Sequence, residues 1–171
     1  MKYIFLIFTI ALFSCTSKTE DKAGAEKKAL PKMEETFPFS EAERIEVTSF
    51  YFMDYRPVES NYKIENGKLP FDDKILKDRI ILTRPQEERL FEILNTKTFI
   101  KDNTVADCYN PEHRITFYDQ DNNVIAFLEV CLQCVGSRIS PDFKVVDLHK
   151  GKMKELKEYF KSIGVKQFSE M

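Results

Sequence analysis

The chain has 171 residues, 43% of them hydrophobic and 32% charged, with a formal net charge of −2. This length supports one compact domain and excludes a second full one, and the near balance of charge excludes a basic field for nucleic acid. Fifteen Phe and seven Tyr supply enough large apolar side chains for a core, so the fold need not depend on its four cysteines for stability.

Residues 1–14 have the pattern of a signal peptide. Lys2 gives a positive start, and the apolar run that follows, to Phe13, is too short to cross a bilayer as a permanent anchor. The pattern predicts export, either as an ordinary secreted protein or as a protein that keeps a membrane anchor.

The end of this leader, Leu12-Phe-Ser-Cys15, resembles the lipobox of bacterial lipoproteins. The resemblance implies cleavage before Cys15 and covalent lipid on that residue, and several acyl chains make a stable anchor. Thr16 follows the cysteine, where an Asp would resemble a signal for retention in the inner membrane. The expected location is therefore the cell outer membrane, on its periplasmic or its surface face.

Residues 15–36 comprise the cysteine and a stretch of mixed charge without any aromatic residue. Such a stretch cannot bury enough apolar surface to offset its ordering entropy, so it is predicted to be a flexible tether. A spacer that holds the protein away from the lipid and a tail without a role are both open. Aromatic residues resume at Phe37, and a single domain is predicted over 37–171.

Alternating apolar residues predict strands within this domain, and apolar residues at helical spacing predict two helices. Both faces of the run that begins at Val124 are mostly apolar, which is typical of an interior strand. The fold class is predicted to be α+β, with a mainly antiparallel sheet of five or six strands and two packed helices. The predicted strands cover 44–53, 76–83, 113–118, 124–132 and 143–148, with a turn at 66–67, and the helices cover 85–95 and 151–164.

Three cysteines belong to the predicted domain, and disulfides consume cysteines in pairs, so one must be left over. A metal site resolves this parity, because Cys108, Cys131 and Cys134 together with His113 form a Cys3His set that suits tetrahedral zinc. The hairpin between His113 and Cys131 would have to bring the imidazole to the three sulfurs.

A disulfide is the competing interpretation, since the cell envelope favours oxidation. It would join Cys131 to Cys134, or Cys108 to one of them, and would leave one buried thiol and a hydrogen-bonded His113. A third interpretation, thiol redox chemistry at Cys131 and Cys134, needs a thiolate that is usually stabilised at a helix start. Cys131 ends a predicted strand and residues 135–141 are a poor helix, which disfavours it.

The spacing Cys-aromatic-x-Pro-x-His, then a strand pair and Cys-x-x-Cys, resembles a pattern in uncharacterised bacterial envelope proteins, many of them lipoproteins. Here it comprises Cys108, Tyr109, Pro111, His113, Cys131 and Cys134. Where similar sequences often have Arg before the His, this chain has Glu112, which argues against a role of that position in binding phosphate or carboxylate. The resemblance covers about thirty residues and implies a shared structural element without an activity.

These observations lead to an envelope lipoprotein that acts as a binding or interaction module for an envelope protein or small ligand. Its cysteine and histidine cluster is expected to be mainly structural, held by zinc or by a disulfide. The alternative is an enzyme, a thiol–disulfide oxidoreductase that uses Cys131 and Cys134.

Overall fold

A computed structural model describes residues 30–51, 54, 63–70, 72–96, 109–145 and 148–169. The predicted signal peptide, Cys15 and Cys108 lie outside these residues. Contacts with the core begin before the predicted domain boundary at residue 37, because Met33 is already buried in a short 3-10 turn, Met33–Glu35.

The described residues contain a five-stranded antiparallel sheet. Its strands, in chain order, are β1 (Arg44–Phe50), β2 (Leu76–Ile81), β3 (His113–Tyr118), β4 (Val124–Cys131) and β5 (Gly136–Ile139). Across the sheet the order is β2-β1-β3-β4-β5, so β3 lies in the middle, β4 is an interior strand beside it, and β2 and β5 form the two edges. The prediction of an α+β fold with an antiparallel sheet and two helices is confirmed.

Two helices, α1 (Arg84–Asn95) and α2 (Lys150–Ser162), pack on one face of the sheet, which we call the helix face. α1 begins where the sequence predicts it, since the side chain of Gln86 accepts a hydrogen bond from the backbone N–H of Thr83 at 2.8 Å. The core between the layers is formed by the inward side chains of strands and helices: Ile45, Val47, Ile115, Phe117, Leu128, Leu90, Leu94, Met153, Leu156 and Phe160.

Register places side chains on two faces, because neighbours along a strand point in opposite directions. His113 pairs with Val130 and with Ser49, and all three lie on the helix face. Arg114 pairs with Glu129, and both lie on the other face, which we call the polar face.

The predicted interior strand is confirmed by β4, whose residues are buried on both sides apart from Ile125, which is half-buried. The turn at Asn66-Gly67 is also present, with positive φ at both residues, and it closes a single bridge between Glu65 and Lys68. The carbonyl of Gly67 accepts a hydrogen bond from the N–H of Val124 at 2.7 Å, which ties this turn to the start of β4.

The prediction of a strand over 143–148 is wrong for the residues that the structure describes there, which are 143–145 and 148. β5 takes the edge position. It follows β4 after a short turn that contains Cys134. Phe143 is buried because its ring packs edge-on against Phe117 and Phe39, so its apolar character serves the core without a strand. Within the described ranges, none of the helices is long and apolar enough to cross a membrane.

Candidate functional site

Cys131 and Cys134 form a disulfide in the turn that joins β4 to β5. Cys131 is the last residue of β4 and pairs with Gly136 at the start of β5, so the bond lies within the turn of this hairpin. Both cysteines are buried, with exposed fractions of 1% and 4%. The backbone N–H of Cys134 donates to the Sγ of Cys131 at 3.2 Å, an arrangement that would also favour a Cys131 thiolate after reduction.

His113 lies on the helix face and is surrounded by aromatic rings. Its imidazole stacks on Phe160 of α2, with centroids 5.2 Å apart, and contacts the ring of Phe168 at an interplanar angle of 35°, with centroids 5.0 Å apart. Its Nε2 lies 2.9 Å from the carbonyl oxygen of Gln167, which can only accept, so Nε2 carries the proton and donates. Nδ1 has no hydrogen-bond partner among the described residues.

Burial lowers the pKa of His113 from 6.5 to about 4, because the charged imidazolium is disfavoured away from water. The bond to Gln167 and the nearby carboxylates of Glu112 and Asp78 act in the opposite direction but do not outweigh burial. The imidazole is therefore neutral at neutral pH.

The four predicted metal ligands are brought together only in part. Cys131 and Cys134 are bonded to each other, while His113 lies on the face opposite Cys131, since it pairs with Val130 and Cys131 is the next residue. Cys108 lies outside the described residues. Among the residues that are described, no group of three or more His, Cys, Asp or Glu side chains could hold a metal ion. The zinc site stays a prediction, and it requires reduced cysteines and a different position of His113.

The polar face carries a buried network that the sequence analysis did not include. Arg114 and Glu129 form an ion pair across β3 and β4, with Nη2 2.5 Å and Nε 3.0 Å from the same carboxylate oxygen. Both side chains are almost fully buried, at 3% and 0% exposure. The hydroxyl of Tyr109 donates to the other carboxylate oxygen of Glu129 at 3.2 Å.

Tyr109 connects this network to the disulfide. A Cβ placed on Gly136 would lie 2.7 Å from the Tyr109 ring and 3.5 Å from the Sγ of Cys134, so the ring covers the glycine directly beside the disulfide. Arg138 of β5 lies over the same ring, with its guanidinium carbon 5.4 Å from the centroid. Gly136 is required here because any larger residue would displace the ring.

A small cavity of about 80 Å³ lies farther along the polar face. Its lining mixes both signs of charge, and two of its carboxylates have partners within the chain: Glu46 contacts Arg44 and Tyr118, and Asp73 contacts Arg79 at 2.8 Å. This volume would hold a few water molecules, and the balanced charge favours no class of ligand.

Part of the buried network on the polar face could have been predicted from the sequence. β4 was predicted to be buried on both faces, yet Glu129 lies within it, and a buried carboxylate needs a partner. Arg114, in the facing strand of the same hairpin, was the nearest candidate. The roles of Asp78 and Glu112, which bind the C-terminal segment, depend on a tertiary contact that periodicity does not reveal.

Comparison of the chain with protein-family models, with curated proteins and with solved structures gave no match.

Proposed function

We propose that this chain is a lipid-anchored protein of the cell outer membrane that acts as a binding or interaction module. In this proposal the Cys131–Cys134 disulfide has a structural role and stabilises the turn between β4 and β5. The observation that carries it is the burial of both cysteines, which are 1% and 4% exposed, next to Gly136, a residue that the ring of Tyr109 covers.

A thiol–disulfide oxidoreductase needs a sulfur that a substrate thiol or disulfide can reach, and its attacking thiolate is usually stabilised at a helix start. Here Cys131 ends a strand, and the residues after Cys134 enter β5. Among the described residues, the hydrogen bond from the N–H of Cys134 to the Sγ of Cys131 supports the enzymatic alternative. Burial outweighs it, because a sulfur that no partner can approach cannot form a mixed disulfide.

The anchor and location rest on the sequence of the leader, in particular Leu12 and Cys15. Lipid on Cys15 would place the domain at the membrane surface, and the charged residues that follow would act as its spacer.

The anchor is tested by expressing the full chain in a bacterium with a fatty-acid analogue that can be labelled. We expect the label on the wild type and on Cys131→Ser, and none on Cys15→Ala, with the first two in the outer-membrane fraction. Label on Cys15→Ala, or a wild type found wholly in the soluble fraction, would contradict the anchor.

Whether the chain is a binding module or an oxidoreductase is tested by adding it to a model protein and measuring the rate at which dithiothreitol reduces that protein's disulfide. The wild type and the Cys131→Ser/Cys134→Ser double variant are expected to give the same rate as buffer alone. A rate with the wild type well above that of the double variant would establish the oxidoreductase instead.

A further inference from the structure

Residues 165–169, which we call the C-terminal strap, cross one end of the sheet on the helix face. The strap follows Gly164, which has a φ of 101° and ends α2 in the left-handed conformation that favours glycine. It runs from Asp78 of β2, past His113 of β3, to Gln133 beyond β4, and therefore lies across the strands rather than along one of them.

The strap is held mainly through its own backbone. Asp78 accepts hydrogen bonds from the N–H groups of Lys166 and Gln167 at 3.0 and 2.9 Å, and it is itself held by the hydroxyl of Ser49 at 2.6 Å. The Nε2 of His113 donates to the carbonyl of Gln167. These hydrogen bonds use backbone atoms, so they require a free N–H at positions 166 and 167 but no particular side chain there.

The far end of the strap is held in the same way. Glu112 accepts from the N–H of Ser169 at 3.0 Å and also from its hydroxyl, and the side-chain amide of Gln133 donates to the carbonyl of Ser169 at 2.7 Å. The four side chains of Asp78, Glu112, His113 and Gln133 thus bind five backbone atoms of the strap. Hydrogen bonds to backbone atoms are one of the ways in which proteins bind a peptide segment.

One strap side chain provides selectivity. Phe168 lies on the imidazole of His113, with the Nζ of Lys157 6.0 Å from its ring centroid. The ring is only partly buried, and Lys166 beside it is exposed. Val165, at the start of the strap, belongs to the core at 5% exposure. The rest of the strap is held by the ring of Phe168 and by hydrogen bonds, so residues 166–169 are the part that another segment could replace.

We propose that Asp78, Glu112, His113 and Gln133 form a groove that binds a peptide segment of a partner protein, and that residues 166–169 of the C-terminal strap occupy it in the partner's absence. The partner segment would carry an aromatic residue where the strap has Phe168, followed by a small hydroxyl residue where it has Ser169. This inference rests on the proposed function as a binding module and names the class of its partner.

The test uses the full chain and a fluorescent, C-terminally amidated peptide with the sequence of residues 163–169. Because the strap competes within the same molecule, Phe168→Ala should raise the affinity for the peptide about tenfold by freeing the groove. A peptide with Ala in place of its Phe should not bind. Asp78→Asn added to Phe168→Ala should weaken binding, whereas Lys154→Ala, which changes an exposed residue of α2, should bind as the wild type does.

The proposal is wrong if a folded Phe168→Ala protein does not bind the peptide at concentrations up to about 1 mM. This is the effective concentration that a short linker provides. Hydrogen exchange of the wild type gives an independent answer if that variant does not fold. The amides of Lys166, Gln167 and Ser169 should exchange through local opening, faster than that of Ile115 in β3. If all four of these amides exchange only through global unfolding, the groove proposal is also wrong. Neither result bears on lipid attachment or on reductase activity, which test the proposed function separately.

Discussion

The imidazole of His113 and the sulfur of Cys131 lie on opposite faces of one sheet, although the two residues belong to neighbouring strands. His113 pairs with Val130, and the next residue along β4 necessarily points the other way. The sheet therefore separates two environments. His113 lies among aromatic rings of α2 and the C-terminal strap, whereas the disulfide lies beside Gly136, which the ring of Tyr109 covers.

The first prediction concerns the acid sensitivity that His113 confers. Its pKa is about 4 in the folded protein and 6.5 when unperturbed, so the unfolded state binds more protons between these values. The free energy of unfolding should therefore fall as pH falls from 6.5 to 4, by up to roughly 3 kcal/mol from this group. Urea unfolding of the wild type and of His113→Phe across this range measures it. The variant should show the flatter dependence, and parallel curves would contradict the assignment.

The second prediction concerns the buried pair of Arg114 and Glu129. Glu129→Gln leaves the guanidinium without its counter-charge in a buried position, and should lower the free energy of unfolding by about 3–5 kcal/mol. Arg114→Met combined with Glu129→Leu should recover much of this loss, because neither charge then remains buried. Chemical denaturation provides the measurement.

The matched control for this pair is Glu92→Gln, which breaks the exposed pair of Glu92 with Arg89 at 2.9 Å. Exposed pairs contribute little, so the change should stay below about 1 kcal/mol. An equal effect of Glu92→Gln and Glu129→Gln would show that burial does not distinguish the two pairs.

The third prediction concerns Lys152, which is fully buried in α2 and donates to the carbonyls of Ile93 and Thr96 at the end of α1. Lys152→Met keeps most of the side-chain volume but removes the donor, and buried carbonyls without partners should cost about 1–3 kcal/mol of stability. Thermal unfolding measures it, with the exposed Lys154→Met as control. A variant as stable as the control would show that water or other groups replace the lysine.

Periodicity was sufficient to predict most of the fold. The runs from Arg44, Leu76, His113 and Val124 are strands because their apolar residues alternate, and α1 starts at its predicted turn because Thr83 and Gln86 provide the cap. The last strand was misplaced, since Phe143 is apolar for a reason that periodicity cannot separate from a strand: it fills a gap beside Phe117. A residue in a loop can be buried as deeply as one in the sheet.

The candidate site was predictable only in part. That Cys131 and Cys134 form a pair was one of the interpretations left open, and the structure joins them. The position of His113 could not be decided, because sequence spacing shows that two groups are near along the chain without showing which face each occupies. A register shift of one residue would have placed the imidazole on the side of the disulfide. The strap was missed because its recognition uses backbone atoms, which every sequence has.

The most direct test of the account is the reduction potential of the Cys131–Cys134 bond in the intact protein, measured by equilibration with dithiol redox buffers and thiol counting. A structural disulfide with both cysteines buried is expected to have a potential below about −300 mV. A potential between about −270 and −120 mV, the range of thioredoxin-like and DsbA-like catalysts, together with rapid exchange, would contradict a structural role and favour a thiol–disulfide oxidoreductase.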